Sequence, residues 1–437
     1  RGQGSRSGPR ARAPWHGRAT PQGGLSDTEP SGRSSDRGGA CIMRAALLLA
    51  LCPCAGALSA DLLGDGHLAA DAGRGAGWLA ARAGPGRPRG NFTIADDWPF
   101  HDTSSKVDAW LWMMNERKLS SMYDPVFWTL GESLHGVGAN VALVWESNSQ
   151  DMLRNVTAAL ERGRTPLIVT IAHYYANPGP RGGQKILQQC GDRGAFIVLY
   201  QTEPVEKEAH LGDMVDRFKP KEIWDYSHRN LDWYPESAKS LYRYMPPGYA
   251  WGLDFGVEAV TPARTARMAK TESKVGFLGG WHFRENATTD LYHEVLEGRI
   301  VSREDVWTKD DTIEFLTNYP IQLNTHKLEN CCPSTNPVEA LRMAQLLSNR
   351  ACVVSAHSDP RDEAEWEGIV HFEKGSRMDQ LVGEVSQDVR ACQLASFEAF
   401  RRRFEPAAIL RRSGFLGVWQ PKPREPAEAA WEEGWED

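Results

Sequence analysis

Glu339 is the residue whose type and surroundings suggest the most chemistry. It follows a short apolar strand, Ile321 to Asn324, and a bend of Cys, Pro, Ser, Thr and Asn, and it stands among apolar residues at helical spacing, Val338, Leu341, Ala344 and Leu347. Ser334, Thr335 and Asn336 offer N-cap oxygens and Pro337 suits a first helical turn, so Glu339 is expected in the first turn of a helix. That turn would face the crevice outside the carboxyl ends of a parallel sheet. A carboxylate there can accept from two neighbouring hydroxyls, such as those of a ribose. Upstream, the run 276–284 ends a strand with Gly279 and Gly280 and then places His282 and Arg284. Glycines let a backbone approach a phosphate closely, and Arg offers a fork of donors to its oxygens. Together with Glu339 these residues make a cradle for a nucleotide diphosphate, with phosphates at one end and ribose at the other. The same glycine pair also reads as an ordinary turn. His326 either touches the pyrophosphate or caps its own loop.

These residues need a parallel sheet to position them. In the second half the expected elements are a strand Val275 to Gly279, helices Thr289 to Glu297 and Lys309 to Thr317, strand Ile321 to Asn324, the helix after Pro337, strand Ala351 to Ser355, strand Gly368 to Phe372, and helices Ser376 to Val389 and Ala391 to Phe404. The first half alternates in the same way. Strands Asn140 to Trp145, Pro166 to Ala172, Ala195 to Tyr200 and Glu222 to Tyr226 are separated by helices Asp151 to Arg162, Gln184 to Cys190 and Gly212 to Phe218. Strands spaced by helices of this length imply βαβ units. Polar residues gather at the strand ends: His173 to Tyr175, Gln201 to Pro204, and Asp225 to Asn230. Each is a place for chemistry or a turn with solvated groups. Residues 91–136 are Trp-rich and irregular, with a helix expected from Val107 to Arg117, and read as an elaboration before the first regular unit. Residues 251–272 form a candidate hinge.

The ends of the chain have a different character. Residues 1–42 are rich in Arg, Gly, Ser and Pro and read as a disordered leader. Residues 43–60 have the charge, apolar run and small exit residues of a signal peptide, and 61–90 read as a linker or the second part of a bipartite organelle signal. The secretory-pathway lumen (Golgi or ER) or secretion is the expected destination, with no stable membrane span. Asn91, Asn155 and Asn286 each begin a glycosylation triplet. Of eight Cys, five lie beyond the leader and signal, an odd number with no Cys-x-x-Cys pair, which argues against a disulfide framework and a zinc site. The net charge of −7 gives no footprint for nucleic acid. The tail 405–437 is read as mostly disordered and acidic.

The order Leu-Asn-Thr-His (323–326), Glu-Ala-Leu-Arg (339–342), Leu-Leu-x-Asn, Val-Val-Ser, an acidic run and Gly-Ile-Val-His-Phe (368–372) resembles the C-terminal domain of GT-B glycosyltransferases. More narrowly it is similar to the spore-protein CgeB-like branch of the group 1 enzymes. The likeness is densest over 275–387 and continues more faintly over about 137–250. It implies an α/β fold of GT-B architecture, two Rossmann-like domains facing across a cleft: an acceptor domain at 91–250, a nucleotide-sugar domain at 273–387, and a helix at 388–404 crossing back to the first. It implies transfer of a sugar from a nucleotide-diphosphate donor to an unknown acceptor. No cofactor or metal is implied, because cationic side chains and helix N-termini can hold the departing diphosphate. Asn324, His326, Glu339 and Arg342 are the motif residues implied to bind the donor. Many retaining members carry two glutamates eight positions apart, the second at the place of Glu339; here the earlier position is Cys331, which puts that chemistry in doubt. An inverting enzyme would need a general base in the first half, and Glu203, Asp225 and His173 are the candidates. A non-catalytic protein of the same fold and a sugar-nucleotide epimerase are the alternatives.

Overall fold

The computed structural model describes residues 107–113, 123–172, 182–205, 211–271, 273–281, 286–304, 306, 308–326 and 336–421, with the backbone alone for 286–289. The leader, the signal segment, the linker, Asn91, His173, His282, Arg284, Cys331 and residues 422–437 lie outside them. Among the described residues, eleven strands build two separate sheets. The first runs in the order β2-β1-β3-β4-β5-β6, from Ala109–Met113 (β1), Val141–Trp145 (β2), Leu167–Ile171 (β3), Phe196–Gln201 (β4), Glu222–Asp225 (β5) and Tyr242–Tyr244 (β6). The second runs β11-β10-β9-β7-β8, from Val275–Leu278 (β7), Ile300–Arg303 (β8), Ile321–Asn324 (β9), Cys352–Ala356 (β10) and His371–Glu373 (β11). Every pairing in both is parallel. Two all-parallel sheets with the strand order of doubly wound folds are the GT-B architecture.

The helices among the described residues are Asp124–Gly136 (α1), Ser149–Glu161 (α2), Gly182–Asp192 (α3), Leu211–Phe218 (α4), Glu236–Lys239 (α5), Pro262–Met268 (α6), Asn286–Val295 (α7), Lys309–Asn318 (α8), Ala340–Ser348 (α9), Pro360–Glu365 (α10), Met378–Gln387 (α11), Val389–Arg403 (α12) and Pro406–Arg412 (α13). None is long and apolar enough to cross a membrane.

Within the stretch expected to be helical at Val107 to Arg117, of which 114–117 lie outside the described residues, stands strand β1, next to the centre of the first sheet. All five of its residues are buried, including Trp110 and Trp112, and it pairs with β2 on one side and β3 on the other. A strand covered on both faces shows no alternation, and a five-residue apolar run cannot be told from helix by period alone. The first regular unit is therefore β1 followed by α1, which the sequence reading did not anticipate. Neither did it anticipate the edge strands β6 and β8. α1 holds the start of the expected hinge: Glu132 accepts from the N–H groups of Trp251 and Gly252 at 2.7 and 2.8 Å. Only glycine fits at 252, since a Cβ there would lie 2.2 Å from the Trp128 ring.

Two helices, rather than one, return to the first half. Asp388 closes α11 and caps α12, accepting from Ala391 N at 3.1 Å. The first turns of α12 belong to the second half: Val389 shares a core with Val275, Ile321 and Val354. Its far end belongs to the first, where the Phe397 ring meets Tyr249 and Tyr249 N donates to Phe404 O at 2.9 Å. The chain then continues past the expected boundary at 404. In α13, Pro406 O accepts from Ser133 of α1, and further on Trp419 donates to Thr165 O at 2.9 Å. Residues 405–421 are thus part of the folded body, because Ile409, Leu410, Phe415 and Trp419 cover apolar surface left open by α1 and β4.

Candidate functional site

In the second half the exit of β7 and the exit of β9 are neighbours at the point where the strand order reverses, the crevice where such sheets take ligands. Asn324, the last residue of β9, is fully buried. Its amide donates to Ser355 Oγ at 2.9 Å and its oxygen accepts from Arg342 Nη1 at 2.8 Å. Arg342, on α9, lies with its guanidinium 4.9 Å over the Phe277 ring of β7. Gly279 ends β7 with φ of 140°, a value that favours glycine, and a Cβ there would lie 3.9 Å from Arg342 Nη2. Burial lowers the pKa of Arg342, and only the Glu339 carboxylate, 3.7 Å away, opposes that shift. The structure therefore gathers Gly279, Asn324, Glu339 and Arg342. Gly280 follows at the same strand exit, half-buried.

Glu339 differs from expectation in one respect. The helix begins at Ala340, so Glu339 sits at the cap position, and its side chain makes no capping bond. The delay has a tertiary cause. Buried Val338 donates from its N–H to Asp362, and Asn336 O accepts from Asp359 N at 2.8 Å, so 336–338 is tied to α10 and cannot wind. The Glu339 side chain stays about one-third exposed. His326, by contrast, is buried: Nε2 lies 3.0 Å from His357 O and 3.2 Å from Ser358 Oγ. It fastens the β9 exit to the β10 exit.

In the first half, Asp225 ends β5 fully buried. Oδ1 accepts from Ser227 N and Asn230 Nδ2, both at 2.9 Å, and Oδ2 accepts from Tyr234 OH at 2.7 Å. Burial pushes its pKa up to about 7 against the pull of these donors. All of this folds the 227–234 turn, and no oxygen faces outward for a substrate. Glu203, at the exit of β4, keeps a half-exposed side chain while its carbonyl accepts from Gln201 and Asn230. Tyr226, next to Asp225, feels charges from both halves. Its buried hydroxyl has its pKa raised by burial and then by the charges of Glu339, Asp225, Glu203 and Asp362.

The halves meet directly beside it. The buried carboxylate of Asp362, on α10, accepts from Ser227 Oγ, from His228 N at 2.7 Å and from Val338 N at 3.4 Å. Burial pushes it up to about 6. Arg361 bridges Asp359 and Asp232 alongside. These groups lie in an acidic run whose partners in the first half, Ser227, His228 and Asp232, are over a hundred residues away, so spacing gave no sign of them.

Asp124 was also missed, because reading β1 as helix hid the fact that α1 starts at a strand exit. It lies in the first turn of α1, the helix that follows β1 in the chain. Burial raises its pKa well above the usual carboxylate range, and Oδ1 has no hydrogen-bond partner among the described residues. Of the glycosylation triplets, Asn155 sits half-exposed within α2, and Thr157 donates to Leu153 O at 2.7 Å. Asn286 opens α7.

One sequence-based expectation fails outright. Cys352 of β10 and Cys392 of α12 form a disulfide, 40 residues apart. The odd count misled because pairing needs only two cysteines close in space, and Cys190 stays free and buried.

No family model and no curated protein matches the chain. Among solved structures it is similar to HepE of Anabaena, solved with UDP and glucose, at 9% identity and a TM-score of 0.44, covering 72% of this chain and 100% of that one. The sucrose-phosphate synthase of Thermosynechococcus elongatus gives 11% and 0.40, covering 71% and 98%. The UDP-forming trehalose-phosphate synthase of Burkholderia vietnamiensis gives 10% and 0.39, covering 75% and 99%. The fold itself rests on the two all-parallel sheets and their strand order.

Proposed function

We propose that the protein is a glycosyltransferase that takes a sugar from a nucleotide diphosphate and passes it to an acceptor hydroxyl bound against the first half. The observation that supports this most is the convergence of Gly279, Asn324, Glu339 and Arg342 at the β7/β9 reversal. A half-buried guanidinium held by an amide and an aromatic face suits a diphosphate, and the half-exposed Glu339 carboxylate suits a ribose diol. Arg342 supplies the charge that the leaving diphosphate needs, without a metal. His282 and Arg284 complete the phosphate end in this reading. On the acceptor side the candidates are Glu203, whose side chain is half-exposed, and Asp124, whose buried Oδ1 has no hydrogen-bond partner among the described residues, and His173 stands with them. Kinship with the CgeB-like branch and entry into the secretory pathway belong to the same proposal, supported by the ordered motifs of 323–372 and the layout of 43–60.

A second reading, a binding protein that has kept the fold, is favoured by the saturated hydrogen bonding of Asp225 and by Cys331 in place of a glutamate. Calorimetry against UDP, GDP and TDP tests nucleotide binding, and release of free nucleotide from the matching sugar nucleotide separates the two readings. Absence of binding by folded protein removes both, and an isomerised donor without transfer would indicate an epimerase.

A further inference from the structure

Cys352, His371 and Cys392 come together at the amino-terminal edge of the second sheet, opposite to the strand exits of the candidate nucleotide site. Cys352 opens β10, His371 opens the adjacent β11, and Cys392 reaches over from α12. Their ligand atoms all lie within 4.8 Å of one another, and His371 Nε2 is 3.4 Å from Cys392 Sγ. On a tetrahedral zinc ion, with Zn–S of about 2.3 Å and Zn–N of about 2.0–2.1 Å, a sulfur and a nitrogen ligand stand roughly 3.5 Å apart. The His371–Cys392 pair is therefore already spaced as one edge of such a tetrahedron. Two sulfurs on the same ion stand about 3.8 Å apart, which rotation of the side chains can provide once the disulfide is open. The Cα atoms, 5.6 Å apart, need not move far. His371 is exposed, so a fourth position would open to solvent.

We propose that this cluster is a redox-gated site for a zinc-class divalent ion: a disulfide when oxidised, and a two-thiolate, one-imidazole site when reduced. Reduction by a phosphine breaks the S–S bond, converts the phosphine to its oxide with the oxygen of one water, and leaves two thiols. Ion binding then releases their two protons and joins both sulfurs and His371 Nε2 to the metal. The ion replaces one cross-link between β10 and α12 with another. A two-electron oxidant such as hydrogen peroxide joins the two sulfurs again, is itself reduced to water with two protons from solvent, and so ejects the ion.

Full-length protein, reduced with a phosphine and desalted without oxygen, is titrated with cobalt(II) and then with zinc(II). One equivalent of cobalt should give thiolate charge-transfer absorption and strong tetrahedral visible bands, which one equivalent of zinc abolishes. The oxidised protein should give neither. Cys392→Ser should lose the charge-transfer signal of this site, and the surface change His371→Ala should weaken binding by at least about the hundred-fold that loss of mere supporting groups can cost. Circular dichroism of each reduced variant verifies the fold. No tetrahedral cobalt signal from reduced, folded wild type overturns the proposal. So does a signal that survives unchanged in Cys392→Ser or His371→Ala, which would place the ion on other cysteines.

Discussion

The two halves run the same strand order, each with its first strand between its second and third, yet their carboxyl edges carry opposite chemistry. The second half gathers a cation and an amide, Arg342 and Asn324, under a glycine turn. The first carries carboxyls, Asp124, Glu203 and Asp225, and burial raises the pKa of the first and last of them. A shared backbone plan fixes where ligands approach and leaves the sign of the charge to the side chains. A cationic edge suits a diphosphate that must leave, and a carboxyl edge suits a hydroxyl that must lose its proton. The comparison breaks if variants on the two edges affect the same quantity.

The largest effect is expected on turnover. Asp124→Asn and Glu203→Gln are compared by single-turnover release of nucleotide and by nucleotide affinity. Whichever carboxyl takes the acceptor's proton should lower the rate by about 10²- to 10⁴-fold while leaving affinity within a few-fold. If neither changes the rate, the first half has no base among its described residues. Loss of nucleotide affinity in either variant would erase the division of labour.

The next largest effects are on affinity. Arg342→Ala should weaken nucleotide binding by more than about 3 kcal/mol, over a hundred-fold. Glu339→Gln should weaken it by roughly 1.5–3 kcal/mol, about ten- to a hundred-fold, with little change in melting temperature. If Glu339 merely stabilises its own helix, the Gln variant loses about 0.3–1 kcal/mol of stability and binds as before.

That both residues could be named beforehand reflects where information sits in the chain. Strands of the second half such as Ile321–Asn324 announce themselves as short apolar runs between turn residues, and β9 lies where it was expected to the residue. The motifs follow those strands at short range, so their place at one edge is legible. What was hidden depends on contacts distant in sequence. β1 is buried on both faces and so lost its period; Asp362 meets Ser227 from 135 residues away; Cys352 meets Cys392 only through the return of α12; and the tail folds only because α1 leaves an apolar face for it. Glu339 illustrates the boundary between the two cases. Its helix was foreseen, and its helical position shifted because Val338 is tied to Asp362.

A smaller effect concerns pH, and it should come from the carboxyl-rich junction alone. Asp225 and Asp362 ionise near pH 4 in the unfolded chain but only near 7 and 6 when folded, because burial disfavours their charge. The folded state thus holds protons that the unfolded state has released. Stability from these groups is complete below about pH 4 and declines as pH rises through about 6 and 7. Denaturant unfolding should therefore give a higher free energy at pH 5.5 than at pH 8, sloping by up to about 1.4 kcal/mol per pH unit for each group within its window. The double variant Asp225→Asn/Asp362→Asn should flatten that slope. It should also lose about 1–3 kcal/mol for each donor left facing an amide N–H. A slope unchanged in the double variant would assign the pH dependence to other groups.

The smallest effect separates the two kinds of contact that join the halves. Arg361 bridges to Asp232 with both side chains about half exposed, whereas Asp362 accepts three hydrogen bonds in full burial. Exposed ion pairs gain little, because water and salt screen them and two long side chains must be ordered. Arg361→Ala should therefore cost less than about 1 kcal/mol, and that cost should vanish in high salt. Asp362→Ala removes the acceptor of three buried donors and should cost several-fold more, about 2–5 kcal/mol, with no salt dependence. Chemical denaturation of the two variants in low and high salt measures both quantities. A large, salt-resistant loss in Arg361→Ala would mean that the exposed bridge, and not the buried carboxyl, holds the two edges together.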